Sequence, residues 1–188
     1  VMLHVPGHEP LHKVTIIPRG RALGVTMYLP ERDKYSQSLT ELRAMIAGLF
    51  GGRVAEELVF GKEKITTGAS DDIRRATELA RRMVTEFGMS ERLGPLHFGS
   101  DEPQVAGRDP HGVKLSDEVA AQVDAEISRM VTEASHRATE LLGVHRGMLD
   151  RLAKRLVEQE TVTGEELDGL LKDPLNNESV TDQPGGTP

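Results

Sequence analysis

TTGASDDIRRATELARRMVTEF, residues Thr66 to Phe87, holds the pattern that decides the fold. At about 100° per residue, Ile73, Ala76, Leu79, Ala80, Met83, Val84 and Phe87 gather into one apolar stripe. Arg74, Arg75, Glu78, Arg81 and Arg82 lie opposite, so the run reads as an amphipathic helix laid against a core. Two adjacent carboxylates open it, and the helical turn lets only one of them face inward. Asp72 falls on the edge of the stripe, over Ala76 and Leu79, whereas Asp71 points to the arginine side. A carboxylate held against an apolar face needs a hydrogen bond, a cation or a metal. Desolvating it alone costs on the order of several kcal/mol, comparable with the stability of a whole domain. Helix capping is the competing account, since Ser70 or Asp71 is a good N-cap and an acid in the first turn complements the helix dipole.

Upstream, Leu39 to Val59 reads as a second helix. Leu42, Met45, Ile46, Leu49 and Phe50 recur at three- and four-residue steps, and GGRVAEELVFG follows. Gly51 and Gly52 together cost roughly 2 kcal/mol relative to alanine inside a helix, so a helix running through them implies close packing there. Continuity would put Glu56 on the apolar side, seven residues after Leu49. Glu56 and Asp72 are then two acids aimed inward from neighbouring helices across the short turn Gly61 to Gly68. An ordinary salt bridge from Glu56, to Arg53 or to an arginine of the next helix, is the alternative.

Before these helices lies a β-like pair, VTIIP (Val14 to Pro18) and GVTMYLP (Gly24 to Pro30), joined by RGRAL. The blocks KVTIIPRGRALGVTMYLPE, GGRVAEELVFG and TTGASDDIRRATELARRMVTEFGMSERLGPL stand in this order between about Val5 and Leu96. Together they resemble the proteolytic domain of the FtsH family of membrane-anchored, ATP-dependent zinc metalloproteases. Several unrelated blocks in the right sequence are far more specific than one motif. Beyond Leu96 the resemblance continues as helical pattern.

The resemblance implies a zinc site in which Asp72 is the third ligand, beside two histidines of an HExxH helix whose glutamate polarises the attacking water. The chemistry is sound on general grounds: histidines at i and i+4 share a helix face, a carboxylate closes a third corner of a tetrahedron, and water takes the fourth. The chain contains no HExxH. By the resemblance that motif would end a few residues before Val1, so the expectation is one zinc ligand of three, no catalytic residue within the chain, and no activity from the chain by itself. Glu56 is assigned a supporting role behind the ligand.

His4, His8 and His12 stand four apart in HVPGHEPLH and imitate a metal motif. Pro6 and Pro10 forbid a regular helix there, so the spacing does not bring the imidazoles to one face. They read as a surface turn before the first strand. His97, His111, His136 and His145 have no ligand spacing.

Composition narrows the class. The 188 residues allow one domain, or one and a small appendage, with a real core, and 37% hydrophobic with 3% aromatic residues points to a core of Leu, Val, Ile, Met and Ala. Zero cysteines remove disulfides, thiolate zinc sites and cysteine nucleophiles. A net charge of −7 argues against nucleic acid as a partner. No apolar run approaches the roughly 20 residues of a membrane span, and no phosphate-binding GxxxxGKS or GxxxxGKT loop occurs, so the membrane anchor and ATPase of the family are expected to lie elsewhere.

The second half reads as helical. Ser116 is an N-cap for a helix through Val119, Val123, Ile127, Met130, Val131, Ala134, Ala138, Leu141 and Leu142. Met148, Leu149, Leu152 and Leu156 mark another helix, and Thr163 with Glu166 forms a capping box for a last short one, Glu165 to Leu171. Gly99 to Val113 reads as an exposed loop and residues 173–188 as a disordered tail.

The sequence thus predicts a mainly α-helical domain over residues 1–172 with one small β-hairpin. By the resemblance it is the peptidase portion of an FtsH-like zinc metalloendopeptidase that uses ATP through an AAA+ module. The family implies a homohexamer, unfolded or membrane proteins as substrates, and the cytoplasmic face of a bacterial inner membrane or an organelle membrane as its place. The hairpin is a candidate edge for pairing with an extended substrate. A non-catalytic helical scaffold that assembles with an AAA+ ATPase is the alternative.

Overall fold

The computed structural model describes Val1 and residues 11–18, 24–28, 36–98 and 115–172. Within them the chain is mainly helical, with six α-helices and a three-stranded antiparallel sheet. The expected loop Gly99 to Val113 and tail 173–188 lie outside the described residues. Contacts divide the chain into two compact units, Val1–His8 with Lys34–Gly143, and Glu9–Asp33 with Val144–Pro188.

The first unit begins with α1 (Leu39–Leu49), started by a capping box. The Ser38 amide donates to Glu41 Oε2 at 2.7 Å, and the Glu41 amide returns a bond to Ser38 Oγ at 3.3 Å. Leu42, Ala44, Ile46 and Ala47 form its buried face. The single helix expected from Leu39 to Val59 is interrupted at Phe50, and α2 (Gly51–Phe60) follows. Two successive glycines hold the helix weakly there. The close packing expected at both glycines exists at Gly51, where an added Cβ would lie 3.4 Å from Val1 Cγ2, but nothing lies within 4 Å at Gly52.

Two 3-10 turns, Lys62–Lys64 and Thr67–Ala69, lead into α3 (Ser70–Thr85). Ala76, Ala80, Met83 and Val84 are sealed, as the apolar stripe requires. Ile73 and Phe87, placed at the ends of that stripe, are 37% and 40% exposed. The helix ends at Thr85, so Phe87 leaves the helical phase, and its ring packs instead under the Arg82 guanidinium, 4.9 Å away.

The long helix α4 (Asp117–Val144) starts as predicted, with Ser116 Oγ accepting the Val119 amide at 3.3 Å. Its core face includes Val123, Ile127, Met130, Ala134 and Ala138 and, unforeseen, a fully buried Glu126. Arg129 Nε and Nη2 donate to the two oxygens of that carboxylate at 2.9 and 2.7 Å, so its charge is paired where it is buried.

The second unit is a small sheet, order β2–β1–β3, packed with two helices. β1 (Leu11–Thr15) pairs with β2 (Val25–Tyr28), Val14 opposite Thr26. The first strand of the hairpin lies three residues earlier than the expected Val14 start. It ends at Thr15 because that hydroxyl takes the Ile17 amide at 3.1 Å and turns the chain out of the ladder. The third strand, β3 (Thr161–Thr163), was not expected; three residues are too few to show an alternation. It puts Val162 opposite Val14. α5 (Arg146–Gln159) precedes it and α6 (Gly164–Lys172) follows. The predicted capping box is present, with Glu166 Oε2 accepting the Thr163 amide at 2.8 Å. Leu156, Val162 and Leu167 are the buried centre of this unit.

Candidate metal centre

The first turn of α3 separates the two aspartates as the helical phase demands. Asp71 is exposed and pairs with Arg74 Nη2, which in turn reaches Glu78 at 2.8 Å through Nη1. The Arg74 guanidinium holds the Asp71 carboxyl below the usual carboxylate range. Asp72 is half-buried, and among the described residues it receives no hydrogen bond and no ion pair. Burial pushes its carboxyl above the usual range, with Arg75 pulling against the rise and Asp71 adding to it.

Neither acid caps α3 through its side chain, although both stand in its first turn, where the helix dipole favours an acid. The residue at the N-cap position is Ala69, without a side-chain cap bond, and Ser70 Oγ spends its hydrogen bond on the Thr67 carbonyl at 2.6 Å. Thr66 caps the preceding 3-10 turn, its hydroxyl accepting the Gly68 amide at 3.2 Å. Asp72 therefore offers a free, partly desolvated anionic oxygen, which is what a divalent cation takes and what the cation would stabilise in return.

Glu56 does not stand against the apolar core. It lies on the half-exposed side of α2 and reaches across to the turn that precedes α3, rather than to Arg53. Its Oε2 accepts the Thr66 amide at 3.0 Å and its Oε1 accepts the Thr66 hydroxyl at 2.8 Å. The Thr66 amide, then its hydroxyl, hold the Glu56 carboxyl below the ordinary range.

Among the described residues no group of three or more His, Asp or Glu side chains forms a metal cage. Of the expected site residues, Asp72 is the one that has no hydrogen bond or ion pair among the described residues. His12 is exposed on β1, beside the irregularity between Leu11 and Lys13, while His4 and His8 lie outside the described residues. His97 and His136 are exposed, and His145 precedes α5. The helical phase foretells the half-buried position of Asp72, whereas Thr66, whose bonds show only in its partners, has no such pattern. The one signal was its position at the head of a Gly-containing turn. No helix among the described residues is long and apolar enough to cross a membrane.

Comparison with known proteins gives a concordant picture. The model of the family described as "Peptidase family M41" matches residues 1–170. An ATP-dependent zinc metalloprotease FtsH of Rubrobacter xylanophilus is 52% identical over 171 residues, which is 90% of this chain and 26% of that protein. The FtsH proteins of Thermotoga maritima and Photobacterium profundum are each 46% identical, over 90% and 89% of this chain and 28% and 24% of their own lengths. The chain spans about a quarter of the length of these relatives.

Proposed function

The chain belongs to peptidase family M41, and from that premise we propose that it is the peptidase part of an ATP-dependent zinc metalloendopeptidase, with Asp72 as its carboxylate ligand to zinc. The observation that carries the assignment is the contrast within one helical turn: Asp71 is neutralised by Arg74 while Asp72 is half-buried and unpaired. When bound, zinc supplies Lewis acidity toward a peptide carbonyl and lowers the pKa of water toward neutrality.

This chain's own residues hold and aim that ligand. α3 packs through Ala76, Ala80, Met83 and Val84, so the backbone that carries Asp72 is rigid from its second turn onward. The preceding turn sets where the helix begins. Imidazole ligands and the glutamate base would come from an HExxH segment of the whole protein.

The rest of the reading concerns that whole protein. It works as a homohexamer, with an AAA+ module that spends ATP to deliver unfolded or membrane proteins in extended form, at the cytoplasmic face of a bacterial inner membrane or at an organelle membrane. Phe60, Leu96, Val144 and Val157, all more than half exposed, are apolar surface that subunit contacts would cover. Among the described residues β2 is an edge of the sheet, and that edge would pair with a peptide backbone.

The test compares Asp72→Asn with Asp71→Asn in the zinc-loaded protein. Bound zinc and peptide hydrolysis should fall together in the first and stay near normal in the second. An active, zinc-loaded Asp72→Asn protein removes the assignment.

A further inference from the structure

Arg74 and Arg75 follow the two aspartates of α3 at the same spacing, and only one of them closes on its acid. Arg74 pairs with Asp71, three residues back, and reaches Glu78 at 2.8 Å through Nη1. Arg75 stands three residues after Asp72, four after Asp71 and three before Glu78, spacings at which an arginine and an acid ordinarily meet on a helix. It is exposed, and among the described residues it has no hydrogen bond and no ion pair. Asp71 and Glu78 are both taken by Arg74, and Asp72 stays open.

Helical geometry puts the free guanidinium beside the free carboxylate. A residue three positions on lies about 4.5 Å along the axis and about 60° round it. Arg75 therefore shares the flank of α3 that carries Asp72, whereas Arg74 and Arg81 point to the far side. Of the arginines on this helix, Arg75 is the one whose charge is felt at the Asp72 carboxyl, where it opposes the rise that burial causes. With Asp71 and Glu78 spent on Arg74, and Asp72 read as holding a metal, the N–H donors of Arg75 have no acceptor left on their own helix. Their acceptor comes from whatever is held against that metal.

We propose that Arg75 is a substrate-contacting catalytic residue, whose guanidinium donates to the carbonyl oxygen of the peptide bond being cleaved. The proposal rests on the zinc reading of Asp72. As water adds to the carbonyl carbon, the π pair of the C=O bond moves onto its oxygen, and the charge that develops there is what a fixed cation stabilises most. The guanidinium keeps its protons throughout, because it is not deprotonated in proteins. Collapse returns the pair and breaks the C–N bond. The departing nitrogen takes the proton that the water gave up, by way of the base of the whole protein. An arginine already closed on Asp72 could not serve, since its donors would be spent on the ligand. Every peptide bond carries the same carbonyl, so the contact promotes cleavage without selecting side chains.

The test uses the whole, zinc-loaded protein and a short fluorogenic peptide, which needs no unfolding. Arg75→Ala should lower kcat about 100- to 1,000-fold with KM and bound zinc near normal, and Arg75→Lys should recover part of the loss. A phosphinic peptide, whose tetrahedral anionic group imitates the charged oxygen, should bind Arg75→Ala more weakly by the factor lost in kcat. Arg82→Ala, on the same helix but paired with Glu86, should leave both readings near normal. An unchanged kcat in Arg75→Ala makes the residue an ordinary solvated arginine and overturns the proposal. Loss of bound zinc from Arg75→Ala overturns it too, since the residue then serves the ligand, and so does a lower kcat with unchanged affinity for the phosphinic peptide. Should Asp72→Asn lose its zinc while Arg75→Ala keeps full activity, the proposal falls and the zinc reading stands. Should Asp72→Asn keep zinc and activity, the reading beneath the proposal falls first.

Discussion

Ser90 and Glu126, thirty-six positions apart, are joined by a hydroxyl-to-carboxylate hydrogen bond of 2.9 Å with both residues almost wholly buried. Ser90 Oγ also accepts the Leu93 amide at 3.1 Å, so the turn after α3 is tied to α4 through one oxygen. The other side of the carboxylate is taken by Arg129, which continues to Glu133.

Removing either partner of Glu126 should therefore be costly. Arg129→Met leaves an uncompensated charge inside and should cost about 3–5 kcal/mol at neutral pH. Ser90→Ala leaves one bond unmade and should cost about 1–3 kcal/mol. Urea unfolding of each variant measures both.

The same carboxyl sets a pH dependence. The Arg129 guanidinium, then Ser90, hold Glu126 below its ordinary value of 4.5. Its contribution is present above that unfolded value and is lost as pH falls through the lower folded one. Stability should decline on acidification from about pH 5 downward, and in Glu126→Gln that part of the slope should be missing.

Two alanines in one helix should act with opposite signs. At Gly164 a Cβ would stand 2.1 Å from the Leu11 carbonyl oxygen, a backbone atom that cannot swing aside. Gly164→Ala should destabilise the sheet unit by about 1–3 kcal/mol or more. Nothing lies within 4 Å at Gly169, where alanine should stabilise by about 0.4–1 kcal/mol. Thermal unfolding of the pair, read at the strands, separates them.

Glu160 closes α5 in the left-handed region at φ 61°, with its carbonyl accepting from the Ile16 amide and the Thr15 hydroxyl. Glu160→Gly relieves the Cβ crowding while keeping both bonds. It should raise stability by a few tenths to about 1 kcal/mol, less the extra freedom glycine gives the unfolded chain. A fall in stability would mean that the glutamate side chain contributes more than its strain.

For the metal, a single carboxylate without imidazole partners competes poorly with water. The 188-residue chain by itself should hold less than one zinc after dialysis and should not cleave casein. Stoichiometric zinc would bring the His4, His8, His12 group back into consideration.

Much was legible in the residues alone because it depends on local geometry. The helical period puts Asp71 and Asp72 on different sides before any packing is known, and the Thr163 capping box needs only a three-residue spacing. The order of the sequence blocks carried the family. The break at Phe50 and the strand Thr161–Thr163 were not legible, since a one-residue interruption and a three-residue strand leave no periodicity to detect.

What the sequence determined by itself is which of two adjacent carboxylates lies at the edge of the apolar stripe, its neighbour being left to the arginines. What only the tertiary structure decided is how the turn before α3 is tied and how the core is closed. Glu56 finds Thr66 because α2 and the turn before α3 are brought together, and Glu126 finds Ser90 because α4 returns alongside the chain that follows α3. Such bonds join residues far apart in the chain, and no local pattern encodes a partner that only packing supplies. At Glu126 the physical consequence, a carboxylate stabilised where burial alone would exclude it, follows from the fold rather than from residue type.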